Sequence, residues 1–210
     1  MQQGKISGFT SDGHPLGYIP PVYQFDLSVH TVLKRSDPLP GYYDLREEGY
    51  ITSVKDQGSC GACWAFASFG SVESIWLKSG YGSFDFSENN ANCGHGFEWG
   101  MCDGGNAYLA SGYLLRGDGP ILESEDPYYG SSGNYISGLI PVGYVTGVHM
   151  LPNDKDVIKQ AIYNQGALYT TLYYGEQYMN YSYNTYYYSG SEISNHAVTL
   201  VGWDDSKYVD

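Results

Sequence analysis

The apolar positions change period along the chain. From Cys63 to Lys78, Trp64, Phe66, Phe69, Val72, Ile75 and Trp76 recur at two- to three-residue spacings, which predicts a helix buried on most sides. Ser79-Gly80 ends it. A Gly- and Asn-rich stretch runs from Tyr81 to Gly105. A second helix is predicted from Asn106 to Arg116, apolar at Tyr108, Leu109, Tyr113 and Leu114, with Gly117-Asp118-Gly119-Pro120 stopping it. Past Asp126-Pro127-Tyr128-Tyr129-Gly130 the pattern turns β-rich at 139–150 and 167–174. A short helix is expected between them at Asp154–Asn164, capped by Asn153 or Asp154 and apolar at Val157, Ile158, Ala161 and Ile162. A tyrosine-laden loop, 178–190, leads into His196–Trp203, which reads as one buried strand.

Residues 1–38, with Gly13-His14-Pro15-Leu16-Gly17 and Ile19-Pro20-Pro21, show no sustained periodicity and read as an extended leader. A charged turn then leads into Tyr50–Val54. Helices first and strands second predict an α+β fold in two lobes. No internal repeat is evident.

Composition narrows the function classes. A chain of 210 residues holds one large or two small domains, and 42% hydrophobic against 16% charged residues describes a folded protein. The net charge of −13 opposes nucleic acid and anionic membrane as partners. With 23 Tyr and 28 Gly but only 10 Lys plus Arg, the mix suits an extracellular protein with long polar aromatic loops. No apolar run approaches the roughly 18 residues of a membrane span, so membrane insertion is not expected. The start, Met1-Gln2-Gln3-Gly4-Lys5, lacks a signal-length apolar stretch; secretion would need a leader outside this sequence.

The cysteines carry the chemistry. Cys60, Cys63, Cys93 and Cys102 could form two disulfides, but a cysteine enzyme must keep one thiol free, leaving one pair and an odd thiol. A catalytic cysteine acts as a thiolate, and a helix N-terminus or an imidazolium lowers its pKa. Cys63 stands where the first helical pattern begins, behind the small residues Gly58, Ser59, Gly61 and Ala62. His196 lies 133 residues on, at the mouth of an apolar strand. Three rival readings exist. Cys-x-x-Cys is a redox motif, but here Gln57-Gly58-Ser59 precedes it and Trp64 follows. Cys60, Cys63, Cys93, His95 and Cys102 could ligate zinc, which leaves the Gln57 run and the His196 strand unexplained. All four cysteines could merely pair.

Cys60-Gly61-Ala62-Cys63-Trp64-Ala65-Phe66, preceded by Val54-Lys55-Asp56-Gln57-Gly58-Ser59, resembles the papain/cathepsin cysteine peptidase family. The resemblance extends to Pro40–Arg46, Ser87-Glu88, Cys102-Asp103-Gly104-Gly105, Asn195-His196-Ala197-Val198 and Val201-Gly202-Trp203. It spans roughly residues 39–205 and resembles the bacterial and archaeal surface branch in the Gly13–Pro21 run. It implies a papain-like fold over 39–210, with a helical lobe at about 50–135 and a β lobe at about 136–210 lacking its closing strands. Residues 1–38 would be a propeptide remnant or a fixed extension.

By the same resemblance, Cys63 attacks the scissile carbonyl and His196 carries the proton, while Gln57 and the Cys63 N–H form an oxyanion hole. Gly104 and Gly105 would pair with the substrate backbone on the acyl side, with Trp64 and Asn195 also lining the substrate site. Cys60–Cys102 would be a disulfide, and Cys93 free or paired outside the chain. His14, His30, His95 and His149 gain nothing from the motif and read as surface or structural. The implied function is a cysteine endopeptidase acting on polypeptides at an extracellular or cell-surface location, without metal or cofactor. Additional domains beyond residue 210 are possible. The rival is a non-catalytic module binding peptide or a surface ligand through the groove and loop 178–190. The family's histidine-orienting asparagine lies in an Asn-Ser-Trp-Gly run that this sequence, ending 14 residues after His196, does not contain. The 1–210 polypeptide is therefore expected to be weakly active or inactive.

Overall fold

The computed structural model describes residues 8–21 and 38–207. Its longest element, α1 (Cys63–Lys78), is buried on nearly every side at its first half, as the dense apolar spacing requires. Trp64, Ala65 and Phe69 join Phe86, Leu109, Ala110, Tyr113 and Leu114 in one core. Full burial of each large member stabilises the fold by about 1.5–3 kcal/mol. Two further helices complete this half: α2 (Glu88–Gly94) and α3 (Ala107–Leu115). Ser87 caps α2 by accepting the Asn90 N–H, and Asn106 caps α3 by accepting the Tyr108 N–H. The helix α2 was not readable from periodicity, because the buried face it presents is Glu88, Asn89, Asn90 and Asn92. Those polar groups are satisfied internally: Asn89 and Asn90 both donate to the Asp126 carboxylate at 2.6 Å.

A second core gathers Tyr43, Leu45, Ile162 and Ala167, with Tyr50, Leu200 and Trp203 packed against it. It is built from β1 (Tyr42–Asp44), α4 (Lys155–Asn164), β2 (Leu168–Leu172), β5 (His196–Leu200) and β6 (Gly202–Asp204). Asp154 caps α4, accepting the Asp156 and Val157 N–H groups. Strands β2 and β5 pair antiparallel with Leu172 opposite His196, and β1 pairs with β6. The hairpin β3 (Met179–Asn180) and β4 (Thr185–Tyr186) carries the tyrosine loop.

Two strand expectations are corrected. The segment 139–150 forms no strand: Ile140, Val142, Tyr144 and Val148 are exposed, and Gly143 and Gly147 interrupt the run. A Cβ on Gly143 would stand 2.6 Å from the Trp76 ring, so this segment lies flat across α1 instead of pairing. The stretch 196–203 is two strands, because after Leu200 the chain leaves β2 and continues along β1. β1 itself precedes the helices, so the order is not simply helices then strands.

Between the two cores runs a narrow seam of small residues, Cys63, Ala67 and Ala197. Gly70 lets α1 approach β5: a Cβ there would lie 2.7 Å from Thr199 Oγ1. Gly166, at φ +135°, makes the matching approach beside Ile75. The seam ends at the first residue of α1.

Candidate active site

Cys63 is the first residue of α1, and Ala62 before it gives the helix no side-chain cap. The first-turn N–H groups therefore concentrate partial positive charge at the sulfur end. Trp64, fully buried, anchors that end in the helical core.

The loop leading into α1 is fixed from behind. Lys55 Nζ donates to Glu73 and Glu88 carboxylates at 2.8 and 2.9 Å and to the Phe86 carbonyl at 2.9 Å. Tyr128 Oη donates to the Gln57 carbonyl at 2.7 Å. These contacts aim the Gln57 amide inward, where Nε2 donates to the Cys60 carbonyl at 2.9 Å. A disulfide joins Cys60 to Cys102, 42 residues apart, and ties this loop to Gly104 and Gly105. That bond also removes two members of the alternative zinc set. Cys63 and Cys93 keep free thiols. Gly104 has φ +93°, and a Cβ on Gly105 would stand 2.6 Å from Trp64 Nε1, so both positions require glycine.

On the facing side, the Ala197 backbone N–H points at the Cys63 sulfur. His196, the preceding residue and the first of β5, is thereby held at the same seam. Its Nδ1 is buried without a hydrogen-bond partner. The Tyr174 ring stands edge-on, 6.3 Å from the imidazole centroid. Asn195 locks Tyr174 reciprocally, accepting its N–H at 2.6 Å and donating to its carbonyl at 3.0 Å.

The groove between these walls holds residues of the same chain. The Pro15 carbonyl accepts from Gln57 Nε2 at 3.0 Å. The Gly17 N–H points at the Cys63 sulfur. Gly17 O accepts the Gly105 N–H and Ile19 N–H donates to Gly105 O, both at 2.8 Å, a parallel bridge centred on Tyr18. Tyr18 N–H donates to the Asn195 carbonyl at 3.2 Å. The leader thus lies along Gln57, Cys63, Gly105 and Asn195 in extended form.

A profile described as papain family cysteine protease matches residues 39–210. The chain belongs to that family. It is 32% identical over 171 residues to cathepsin J of Mus musculus, covering 79% of this chain and 51% of that protein. It is 31% identical over 172 residues to cysteine proteinase B of Leishmania mexicana, covering 79% and 39% respectively. The chain thus spans about half or less of the length of these curated relatives. Among solved structures, it resembles the cysteine protease and lectin-like domains of Cwp84, a surface layer associated protein of Clostridium difficile. That match has TM-score 0.72 and 28% identity, over 90% of this chain and 43% of that one. It also resembles the bromelain protease of Ananas comosus in complex with the E64 inhibitor, with TM-score 0.67 and 29% identity over 79% and 77%. The two cores and their seam are the papain-like α+β fold.

In this papain-family chain the groove electrostatics follow from the seated leader. Burial pushes the Cys63 thiol up, although N–H groups of Ala197, Gly17 and Trp64 act against it. Burial, with the charge of His14, pulls the His196 imidazole down. Both shifts favour the uncharged thiol and imidazole over the ion pair.

Gln57, Cys63, Gly104, Gly105, Asn195 and His196 are brought to one groove. Three residues escaped the sequence reading. His14, expected at the surface, has its Nδ1 2.7 Å from the Gly58 carbonyl beside the Gln57 loop. Tyr18 packs on Cys63, Ala67 and Ala197, and Thr171 stands on β2 opposite Ala197. Gly17 was a usable signal, since a Cβ there would stand 2.2 Å from the Gly61 backbone oxygen. Of the remaining histidines, His95 is buried against Trp64, His149 lies on the strandless segment, and His30 is outside the described residues.

Proposed function

We propose that the protein is a cysteine endopeptidase that cleaves extended polypeptides through Cys63 and His196. The observation that carries this reading is the seated leader: the groove already holds an extended polypeptide with its backbone on Gly105 and a carbonyl on Gln57. In the reaction, His196 takes the Cys63 proton and the sulfur adds to the substrate carbonyl carbon. The oxyanion is stabilised by Gln57 Nε2 and the Cys63 N–H. Collapse expels the amine, which receives the proton from His196, and leaves a thioester. Water, deprotonated by His196, then releases the acid and restores the thiol.

The same reading treats residues 1–38 as a leader that occludes the site. The carbonyl held by Gln57 belongs to Pro15. The peptidase unit then comprises 39–210, with helical and β lobes at about 50–135 and 136–210. An extracellular or cell-surface location fits the Cys60–Cys102 disulfide and the surface-layer association of Cwp84. Among the described residues no helix is long and apolar enough to cross a membrane.

The test is covalent labelling with a peptidyl epoxide or vinyl sulfone and mapping of the adduct. Stoichiometric modification of Cys63, lost in Cys63→Ala, is the expected result. An unlabelled Cys63 in protein freed of its leader would favour a peptide-binding module.

A further inference from the structure

The hairpin β3–β4, with the short helical turn Glu176–Tyr178 before it, encloses a surface depression of about 510 Å³. Its walls include Gln177, Tyr178, Asn180, Tyr181, Ser182 and Tyr187, and no lining residue is charged. That volume lies in the range of small-ligand sites. Among the described residues, these tyrosines join neither of the two cores nor the seam. Tyr181 and Tyr187 are 62% and 59% exposed. One exposed tyrosine is ordinary, whereas three around one depression form an aromatic surface.

The surface is ordered from behind. Tyr178 packs edge-on against Tyr188 and Tyr186, with ring centroids 4.9 and 6.4 Å apart. The Tyr186 hydroxyl donates to the Tyr173 carbonyl and accepts the Gly175 N–H at 3.3 Å. The Tyr188 hydroxyl accepts the Glu192 N–H at 2.8 Å. Tyr181 donates its hydroxyl to the Glu176 carboxylate. Strand pairing of Met179 with Tyr186 and Asn180 with Thr185 sets both arms. Rings fixed in advance lose little freedom when a ligand covers them.

The lining determines which ligand fits. An aromatic face is electron-rich and attracts the polarised C–H bonds on the flat side of a pyranose ring. Gln177 and Ser182 both donate and accept, and Asn180, whose Oδ1 accepts the Ser182 N–H at 3.2 Å, keeps its NH2 to donate. Sugar hydroxyls likewise donate and accept. A proline-rich peptide also stacks on aromatic rings, but prolyl nitrogens carry no hydrogen, so it leaves the acceptors of Gln177 and Ser182 unused. An anionic ligand meets no positive charge here, in a chain of net charge −13 and with Glu176 beside Gln177. We propose that the hairpin is a binding site for neutral polysaccharide, built without any residue of the Cys63 groove. It stands whether or not Cys63 is a nucleophile.

The test titrates the full chain with cellohexaose, chitohexaose, maltohexaose and mannohexaose. Hexagalacturonate serves as the anionic probe and decaproline as the peptide probe. Binding is read by saturation-transfer NMR up to about 10 mM, which reaches millimolar affinities. At least one neutral hexasaccharide should bind, and more tightly than hexagalacturonate or decaproline. Tyr187→Ala and Gln177→Ala should each weaken it at least about fivefold, the loss of one ring face or one net hydrogen bond. Tyr187→Phe, which keeps the ring face, should retain it. Far-UV circular dichroism and iodoacetamide alkylation of Cys63 should be the same in all three variants, separating lost binding from lost folding. Binding of no neutral hexasaccharide overturns the proposal, as does tighter binding of decaproline or hexagalacturonate. Affinity that survives both Tyr187→Ala and Gln177→Ala overturns it as well.

Discussion

The side-chain amide of Gln57 donates to the carbonyl of Pro15 at 3.0 Å. The donor that would meet a substrate oxyanion is therefore already engaged, and by a residue of the same polypeptide. The engagement depends on a tight fit two residues later. A Cβ on Gly17 would stand 2.2 Å from the backbone oxygen of Gly61, and backbone cannot swing aside as a side-chain tip can.

Gly17→Ala should consequently lift the leader from the groove. Burial is the largest cause of the raised Cys63 pKa, so exposing the sulfur lowers it, and each pKa unit changes the thiolate fraction about tenfold. Iodoacetamide alkylation of Cys63, followed against pH, should show a midpoint displaced to lower pH and a faster rate near neutrality. An unchanged profile would mean that the leader does not control the site.

Leader docking should strengthen in acid. His14 Nδ1 lies 2.7 Å from Gly58 O and 3.5 Å from Asp56 Oδ1, and Nε2 lies 3.1 Å from Asp12 Oδ2. Both nitrogens face acceptors, and only the imidazolium donates from both. The Gly58 carbonyl, then Asp12 and Asp56, raise the His14 pKa against partial desolvation. A pKa higher docked than free means the stabilisation is complete below the free value, about 6.5, and is lost as pH rises through the docked value. The half-buried His196, whose pKa is lowered partly by His14, adds no opposing positive charge while neutral. Amide protection at Ile19 and Gly105, corrected for intrinsic exchange, should fall as pH rises above about 6.5. His14→Gln should flatten that change; protection rising with pH would count against the assignment.

Lys55 holds a buried acidic pair whose side chains are only 1% and 2% exposed. Burial pushes Glu88 up to about 8 even with the Lys55 charge beside it. Lys55→Met should lower the unfolding free energy by about 3–5 kcal/mol above about pH 8, where Glu88 is charged, because the buried carboxylate loses its counter-charge. The deficit should shrink as pH falls through about 8, since protonating Glu88 removes the unpaired charge. Denaturant unfolding at two pH values measures both effects, and a constant deficit would argue for lost packing alone.

What was legible in the sequence follows from what a period encodes. The helix from Cys63 was plain because its core-facing residues are large and apolar, while the cap of α4 was narrowed only to Asn153 or Asp154, of which Asp154 accepts the Asp156 and Val157 N–H groups. Cys63, Gln57, Gly104 and His196 were found through a motif, not through periodicity. Helix α2 was hidden because Asn89, Asn90 and Asn92 are buried by hydrogen bonding to Asp126 and other groups, which hydropathy cannot register. The strand expected at 139–150 failed because its β-branched residues have no facing strand to cover them. The position of Pro15, Gly17 and Tyr18 in the cleft was unreadable for another reason: it depends on contacts spanning 42 to 177 residues of sequence, from Pro15–Gln57 to Tyr18–Asn195.

Residues 8–21 and the groove they fill belong to one chain, so occlusion does not depend on protein concentration. A tethered ligand acts at an effective molarity on the order of millimolar when its linker permits docking. Soluble peptides offered to the intact chain would compete at that level and look weak whatever their intrinsic affinity. One cut between residues 21 and 38 would make the same contacts bimolecular, and dilution alone would then open the site.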